Sequence, residues 1–317
     1  MKNYDVLLEW IERYKNEHLY EGIDHLILLK KEDHDYYAGI EEDGSLSLYE
    51  GYEQAMTSLE NRRSETPDHE TCISAYMCFI DTLQEPMFDG LNYEHDLEED
   101  YKTKDVSAIH LQEGAYPRFV NETEALLLKD LLSQLHEALS LIHEEELQDI
   151  ANEQYYLYDE KTKILSLDDF PEREPEVREQ SPAKKEYLDL LKEKSREGTW
   201  YVYFMYLPIR EKGTKGFPME LVLFSKEKKD YLGNLVIGYE KHHEIYATFI
   251  SQAVKDQTLP EHLIIGDRKT LAYLLPFIQM FNIEYSLSND PFFKQCYEYY
   301  DVLLESVNEK EKNQTAA

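Results

Sequence analysis

The sequence lacks any long hydrophobic run. No stretch approaches the ~18 consecutive apolar residues that a membrane-spanning helix requires, so we expect no membrane partner. The first ten residues also lack the basic segment and long apolar run of a secretory signal peptide. These two absences lead us to expect a cytoplasmic protein.

Cysteine is scarce, with only Cys72, Cys78 and Cys296 in 317 residues. Three cysteines do not form a framework of paired disulfides, and so low a number is typical of proteins in a reducing compartment. Cys72 and Cys78 share a predicted buried strand at residues 72–80. At a rise of ~3.3 Å per residue their Cα atoms lie about 20 Å apart, too far for a disulfide. We therefore expect core thiols, and the absence of Cys-x-x-Cys excludes zinc ribbons and thioredoxin-like redox sites.

Glycine and positive charge are also in short supply. With 12 glycines, the chain has none of the Gly-rich patterns that hold phosphates and no Gly-x-Ser-x-Gly turn, so we expect no cofactor. Its 33 Lys and Arg stand against 65 Asp and Glu, a net charge of −32. Proteins that neutralise phosphates need the opposite balance, so direct nucleic-acid binding is not expected. Aromatic residues are plentiful at 13%, which excludes disorder throughout the chain.

Negative charge is concentrated in the first part of the chain. Residues 1–182 contain 15 Lys and Arg against 45 Asp and Glu, a net charge of −30, whereas residues 183–317 contain 18 against 20, a net charge of −2. So large a change in net charge along the chain suggests two units with different surfaces. It coincides with a Pro- and Glu-rich segment typical of a linker. We predict an acidic α+β domain at 1–167, a linker at 168–182, a second α+β domain at 183–307 and a disordered tail at 308–317.

Short apolar runs separated by turn sequences predict sheets in both units. Three such runs near the start predict an antiparallel meander, and a later pair predicts a hairpin. In the second unit, three strands come first and then alternate with helices. We therefore predict an α+β protein of two domains, each a small, mostly antiparallel or mixed sheet covered by helices. The predicted strands are at 25–29, 36–40, 46–49, 155–158, 164–167, 200–209, 220–225, 231–238, 262–265 and 284–287.

Helical spacing is clearest after Asn121. The Asn121 side chain can accept hydrogen bonds from the first turn, and Glu124 follows three residues later, as a capping box requires. A leucine-rich stripe then runs as far as Ile142 at spacings of three and four. The other predicted helices are at 4–19, 52–61, 241–256, 268–281 and 291–307, and residues 84–106 are predicted to form a surface loop.

Several segments resemble known domains of unknown function. In the second unit, residues 220–225, 232–236, 260–267 and 274–282 resemble a recurring bacterial domain of this kind. In the first unit, residues 48–55 resemble the end of the meander in another, which often precedes the first. The resemblance implies a two-domain cytoplasmic protein of an uncharacterised bacterial family. It brings no catalytic residues with it.

Three carboxylates of the second unit are the candidate catalytic residues. Asp267 ends a predicted strand, Glu220 starts one, and Glu244 lies in the helix between them. Ribonuclease-H-like nucleases hold two magnesium ions with carboxylates at strand ends and on a crossing helix. Each residue also has a purely structural alternative. Asp267 can cap the next helix, and the two glutamates can be surface residues. A metal-dependent hydrolase or nuclease-like enzyme is therefore an alternative function.

Histidines are less informative. His242 and His243 are adjacent, so on a helix they point about 100° apart, whereas metal pairs favour i, i+4 spacing. We expect them to be solvated. His136 and His143 are two helical turns apart and flank the leucine stripe, where we expect them to shield the edge of the core.

The acidic clusters at 94–100 and 144–146 lack the register of a calcium loop, so they face solvent or a basic protein. Tyrosines near Trp200 and on the last helix suit either a core or a partly buried interface. The leading interpretation is a non-catalytic interaction or adaptor protein whose acidic N-terminal domain binds a basic protein. The third alternative is an acidic nucleic-acid mimic that occupies the basic groove of a DNA-binding protein.

Overall fold

The chain folds into two compact units, Met1–Arg173 and Glu174–Ala317, each built from helices and a mixed sheet. This confirms the α+β class. The computed structural model describes residues 3–41, 43–63, 75–79, 107–116, 118–144, 150–151, 154–173, 177, 180–207, 209, 213–256, 258–288 and 290–296. None of the helices within these ranges is long and apolar enough to cross a membrane.

An eight-stranded sheet forms the centre of the first unit, with the order β6-β5-β4-β3-β2-β1-β7-β8. The predicted meander is confirmed as β1 to β3. The sheet is larger than predicted because β1 pairs in parallel with β7, which joins the predicted hairpin to the meander. The strands are β1 (Ile27–Lys31), β2 (His34–Ile40), β3 (Leu46–Glu50), β4 (Ala75–Phe79), β5 (Ser107–Leu111), β6 (Arg118–Phe119), β7 (Gln154–Asp159) and β8 (Ile164–Asp169).

Three of the described helices pack on this sheet. The helices α1 (Asn3–Glu17) and α3 (Glu122–Glu144) share one core with one face of the sheet, because each presents a continuous apolar stripe. The shorter α2 (Tyr52–Arg63) contributes to a second core with Tyr37, Tyr49 and Tyr155.

The predicted capping box at the start of α3 is confirmed. The Asn121 Oδ1 atom accepts from the backbone N–H groups of Thr123 and Glu124, each at 3.0 Å. The Glu124 Oε2 atom accepts in return from the Asn121 N–H at 2.8 Å. These bonds satisfy N–H groups that the first helical turn would otherwise leave without partners.

The second unit contains a five-stranded sheet with the order β11-β10-β9-β12-β13. β9, β10 and β11 are antiparallel, whereas β12 pairs in parallel with β9 and β13. The strands are β9 (Thr199–Tyr206), β10 (Met219–Ser225), β11 (Asp230–Ile237), β12 (His262–Ile265) and β13 (Glu284–Leu287). The helices are α4 (Lys185–Lys192), α5 (Ile245–Asp256), α6 (Arg268–Phe281) and the helical residues 291–296.

The boundary between the units, at residues 173/174, lies within the segment predicted as a linker, but the first residues of that segment are part of the first unit. β8 continues through Asp169, and the Phe170 ring stacks on Tyr155 at 5.4 Å. The Arg173 guanidinium donates to the Glu53 carboxylate at 2.6 Å. The first six residues of the predicted linker therefore lie in the first unit, because packing against aromatic and charged partners overrides their polar composition.

Some predictions concern positions outside the described residues. They are Cys72, the surface loop at 84–106 with its acidic cluster at 94–100, Glu145 and Glu146, the tyrosines of the last helix, and the tail at 308–317.

Candidate functional site

Asp267, the first of the three candidate carboxylates, is the N-cap of α6. Its backbone is extended, and its Oδ1 atom accepts from the Thr270 N–H at 2.5 Å. The Thr270 hydroxyl in turn accepts from the Phe204 N–H of β9 at 3.1 Å. Asp267 therefore holds the first turn of α6 against the central strand of the sheet.

Glu220 and Glu244 lie in different surroundings. Glu220 is buried on β10, where its register neighbours are Met205 and Val236. Glu244 ends the 3₁₀ helix Tyr239–Glu244, and its side chain is half exposed. Within the described residues, no three His, Cys, Asp or Glu side chains form a group that could hold a metal ion. The structure therefore does not assemble the three carboxylates into a metal site.

The candidate histidines have separate structural contacts. The His242 ring lies against the rings of Tyr206 and Tyr239, at 5.5 and 5.3 Å, whereas His243 is exposed. The predicted solvated environment therefore holds for His243 and is wrong for His242, whose ring packs between two aromatic side chains.

His136 and His143 flank the leucine stripe of α3. The His136 Nε2 atom pairs with the Glu17 carboxylate, and the Nε2 atom of His143 contacts the Leu19 carbonyl oxygen at 2.7 Å. Both side chains thus connect α3 to the end of α1 and the residues that follow it.

The two described cysteines are buried thiols. Burial raises the pKa of Cys78 to about 12. Burial, with a smaller contribution from the Glu220 carboxylate, raises the pKa of Cys296 to about 11. Neither group is a thiolate near pH 7, so neither has the character of a catalytic nucleophile.

The tyrosines of β9 belong to the core of the second unit. Tyr201 and Tyr203 pack against Phe293, and the Tyr201 hydroxyl donates to Asp290 at 3.0 Å. Gly266 permits this packing, since a Cβ atom there would approach Tyr203 and Phe293 to 2.8 Å. Of the two environments expected for these tyrosines, the structure therefore shows the core for Tyr201 and Tyr203.

A charged cluster at the start of α3 was not predicted from the sequence. The Arg118 guanidinium donates to both carboxylate oxygens of Glu124, at 2.7 and 2.5 Å. The His110 Nδ1 atom lies 2.9 Å from the same carboxylate, and the His110 ring stacks on Tyr76. Burial of Glu124 acts to raise its pKa, but hydrogen bonds from Arg118, His110 and the Asn121 N–H outweigh it and lower the pKa to about 2. The cluster therefore connects β5 and β6 to the first turn of α3.

Exposed acids are prominent around β2 and β8. Glu32, Asp33 and Asp35 are exposed in and beside the β1–β2 turn, and Asp168 and Asp169 are exposed at the end of β8. Burial, followed by the charges of Asp168 and Asp35, raises the pKa of Tyr155 to about 12. Carboxylates from two separate strands therefore act on the same tyrosine hydroxyl.

β8 also exposes apolar side chains. Ile164 is 58% exposed and Leu167 is 41% exposed. Among the described strands β8 is the last in the order of the sheet, so it has a hydrogen-bonded neighbour on one side only. An exposed edge of this kind can accept a further strand. The hairpin was predicted from the sequence, but its place at the edge depends on the β1–β7 pairing, for which the sequence has no local signal.

Fold and surface together define an α+β protein with mixed sheets, an acidic first unit and an exposed edge strand. Residues 187–296 match a family described as a domain of unknown function (DUF6930). The match includes all five strands of the second sheet and the four segments in which the sequence resembles such a domain. This confirms the predicted domain of unknown function in the second unit. No curated protein and no solved structure matches the chain.

Proposed function

We propose that the protein is a cytoplasmic, non-catalytic interaction protein whose acidic first unit binds a positively charged protein partner. The observation that carries this proposal is the charge distribution, −30 over residues 1–182 against −2 over residues 183–317. A small domain needs a net charge of only ~2–8 for solubility. Self-repulsion among many carboxylates weakens the compact state, so a benefit to binding would explain why they are retained.

The exposed acids of the first unit support this proposal. Glu9 and Glu12 on α1 and Glu32 and Asp33 in the β1–β2 turn all lie on the surface. Carboxylates arranged over several elements attract a basic protein from a distance and accelerate its association at low salt. The metal-dependent alternative has no comparable support, because its three carboxylates lie in separate surroundings.

The test compares two full-length variants with the same change in charge. One carries Glu9→Gln, Glu12→Gln, Glu32→Gln and Asp33→Asn in the first unit. The control carries Glu193→Gln, Glu197→Gln, Glu240→Gln and Glu261→Gln in the second unit, where all four residues are also exposed. Each variant and the wild type are used to capture proteins from a cell extract at ~50 and ~300 mM salt.

We expect the wild type and the control to retain a basic protein at low salt that the first-unit variant loses. Equal capture by both variants, or capture that high salt leaves unchanged, would contradict the proposal. If the captured protein binds DNA and added DNA displaces it from the wild type, the partner would be the one expected for a nucleic-acid mimic.

A further inference from the structure

The two edges of the first sheet are very different. At one edge, β6 contains only Arg118 and Phe119, directly after Pro117 in the sequence. Short edge strands and prolines are common means of preventing a further strand from pairing. At the other edge, β8 extends over six residues, Ile164–Asp169, with no proline. Of these two edges, only β8 is long enough to form a ladder with a bound peptide.

β8 presents both apolar and acidic side chains beside its outer edge, along which no other described strand pairs. Alternate residues of a strand face opposite sides of the sheet, so Ile164 and Asp168 share one side while Leu167 and Asp169 share the other. Each side therefore carries one exposed apolar residue and one exposed acid. A bound strand would therefore lie beside one apolar residue and one carboxylate on each face of the sheet.

The two acids of β8 are held in place by residues of β7. The Tyr155 hydroxyl donates to the Asp168 Oδ2 atom at 3.2 Å, and the Gln154 side chain donates to the Asp169 Oδ1 atom at 2.9 Å. The Asp168 Oδ1 atom also accepts from the Asp169 backbone N–H at 3.0 Å. The two negative charges are thereby fixed at one end of the edge, on opposite faces of the sheet.

We propose that the outer edge of β8, which pairs with no other described strand, binds an extended basic segment of the partner by strand addition. This inference rests on the proposed function, because it assigns a site and a binding mode to the basic partner. In strand addition, main-chain hydrogen bonds provide affinity, and alternate side chains provide specificity. The segment would place apolar residues beside Ile164 and Leu167, and Lys or Arg beside Asp168 and Asp169.

Charge complementarity selects this occupant over a second copy of the chain. Two copies carry −32 each and repel one another, and their acidic β8 edges would add to that repulsion. A basic strand is attracted by the same charges. The acids therefore protect the edge from self-pairing and leave it open to a strand of opposite charge.

The probe is a synthetic peptide of alternating Lys and Val, labelled for fluorescence anisotropy and mixed with the full-length chain at ~50 mM salt. A second peptide has the same sequence with backbone N-methyl groups, so it keeps the charge but cannot donate to a ladder. The protein variants are Asp168→Asn with Asp169→Asn and, as a control of equal charge change outside the acidic unit, Glu193→Gln with Glu197→Gln. Hydrogen exchange of the β8 amides reports where the peptide binds.

We expect the unmodified peptide to bind and to slow exchange at residues 164–169. Binding should weaken about three- to thirtyfold in the β8 variant, the effect of losing two exposed charge pairs, and should change less in the second-unit control. The N-methylated peptide should bind more weakly than the unmodified one and leave β8 exchange unchanged.

Other outcomes overturn the inference in distinguishable ways. If both peptides bind equally in a salt-dependent manner with no change at β8, the edge is not the site, but the proposed acidic surface stands. If neither peptide binds at low salt, both proposals fail. If β8 amides become protected with increasing protein concentration alone, and sedimentation shows a dimer, the occupant is a second copy.

Discussion

At the scale of single residues, Asp267 can be tested both as a helix cap and as a metal ligand. Its Oδ1 atom accepts from the Thr270 N–H, so Asp267→Ala should lower the free energy of unfolding of the second unit by roughly 0.5–2 kcal/mol. Asp267→Asn keeps the accepting oxygen and should stay close to the wild type. Urea denaturation measures both changes.

The Asn variant separates the two roles of Asp267. It removes the negative charge by which a carboxylate attracts magnesium, while it keeps the oxygen that forms the cap. Wild-type stability in this variant, together with no stabilisation of the wild type by added magnesium, would fit a purely structural role. A rise in the wild type's melting temperature on adding magnesium that the Asn variant lacks would contradict the purely structural role.

Glu124 gives a pH-dependent prediction. Its pKa falls from about 4.5 in the unfolded chain to about 2 in the folded protein. A depressed carboxyl pKa contributes stability that is complete above about pH 4.5 and is lost as the pH falls toward about 2. Glu124→Gln has no such proton to take up. This substitution should therefore lower the free energy of unfolding by roughly 2–3 kcal/mol near pH 6, and by less toward pH 3.

The measurement is urea denaturation of wild type and variant at both pH values. Glu9→Gln, an exposed change on α1, is the control and should cost little at either pH. A cost of Glu124→Gln that is the same at both pH values would show that the Arg118 and His110 contacts do not hold the carboxylate in its charged form.

The same residue shows how far the sequence allows prediction at this scale. The capping box of Asn121 and Glu124 could be predicted because its members are three residues apart, so its geometry is local. The contacts of Glu124 with Arg118 and His110 could not, since they depend on β5 and β6 lying beside the start of α3. Likewise, Asp267 could be predicted as a cap, whereas the burial of Glu220 depends on the pairing of β10 with its neighbouring strands.

At the scale of elements, α3 allows a comparison of one substitution at two positions. Leu135 is fully buried and Leu126 is 44% exposed. Leu135→Ala should lower the free energy of unfolding of the first unit by roughly 2–5 kcal/mol, because it leaves a cavity in the core shared with α1. Leu126→Ala should cost about 1 kcal/mol or less. Similar melting shifts for both variants would contradict the assigned buried face.

Elements with a strong internal pattern could be predicted, and elements defined by their neighbours could not. β12, α6 and β13 have the predicted bounds, because each has a clear period and flanking turn residues. β6 was not predicted, since two residues carry no period and exist as a strand only through pairing with β5. α4 was also missed, because eight residues with one buried leucine, Leu191, give a weak pattern.

At the scale of the whole molecule, the two units differ in charge far more than in fold. Met1–Arg173 contains 14 Lys and Arg against 42 Asp and Glu, whereas Glu174–Ala317 contains 19 against 23. Both are α+β units with a mixed sheet and a sizeable apolar core. We therefore expect salt to affect the surface of the first unit more than that of the second, and to affect the two cores alike.

Thermal unfolding of the full chain at increasing NaCl tests this difference. Salt screens repulsion among exposed carboxylates, with a Debye length of about 10 Å at 0.1 M. The transition of the first unit should therefore move to higher temperature between ~0.01 and ~0.3 M NaCl, and that of the second unit should move much less. The second unit serves as the internal control for general salt effects. Leu135→Ala identifies the first-unit transition, because it should lower that transition alone. Equal shifts of the two transitions would mean that the carboxylates of the first unit are already compensated within the fold, which would leave no field to attract a basic partner.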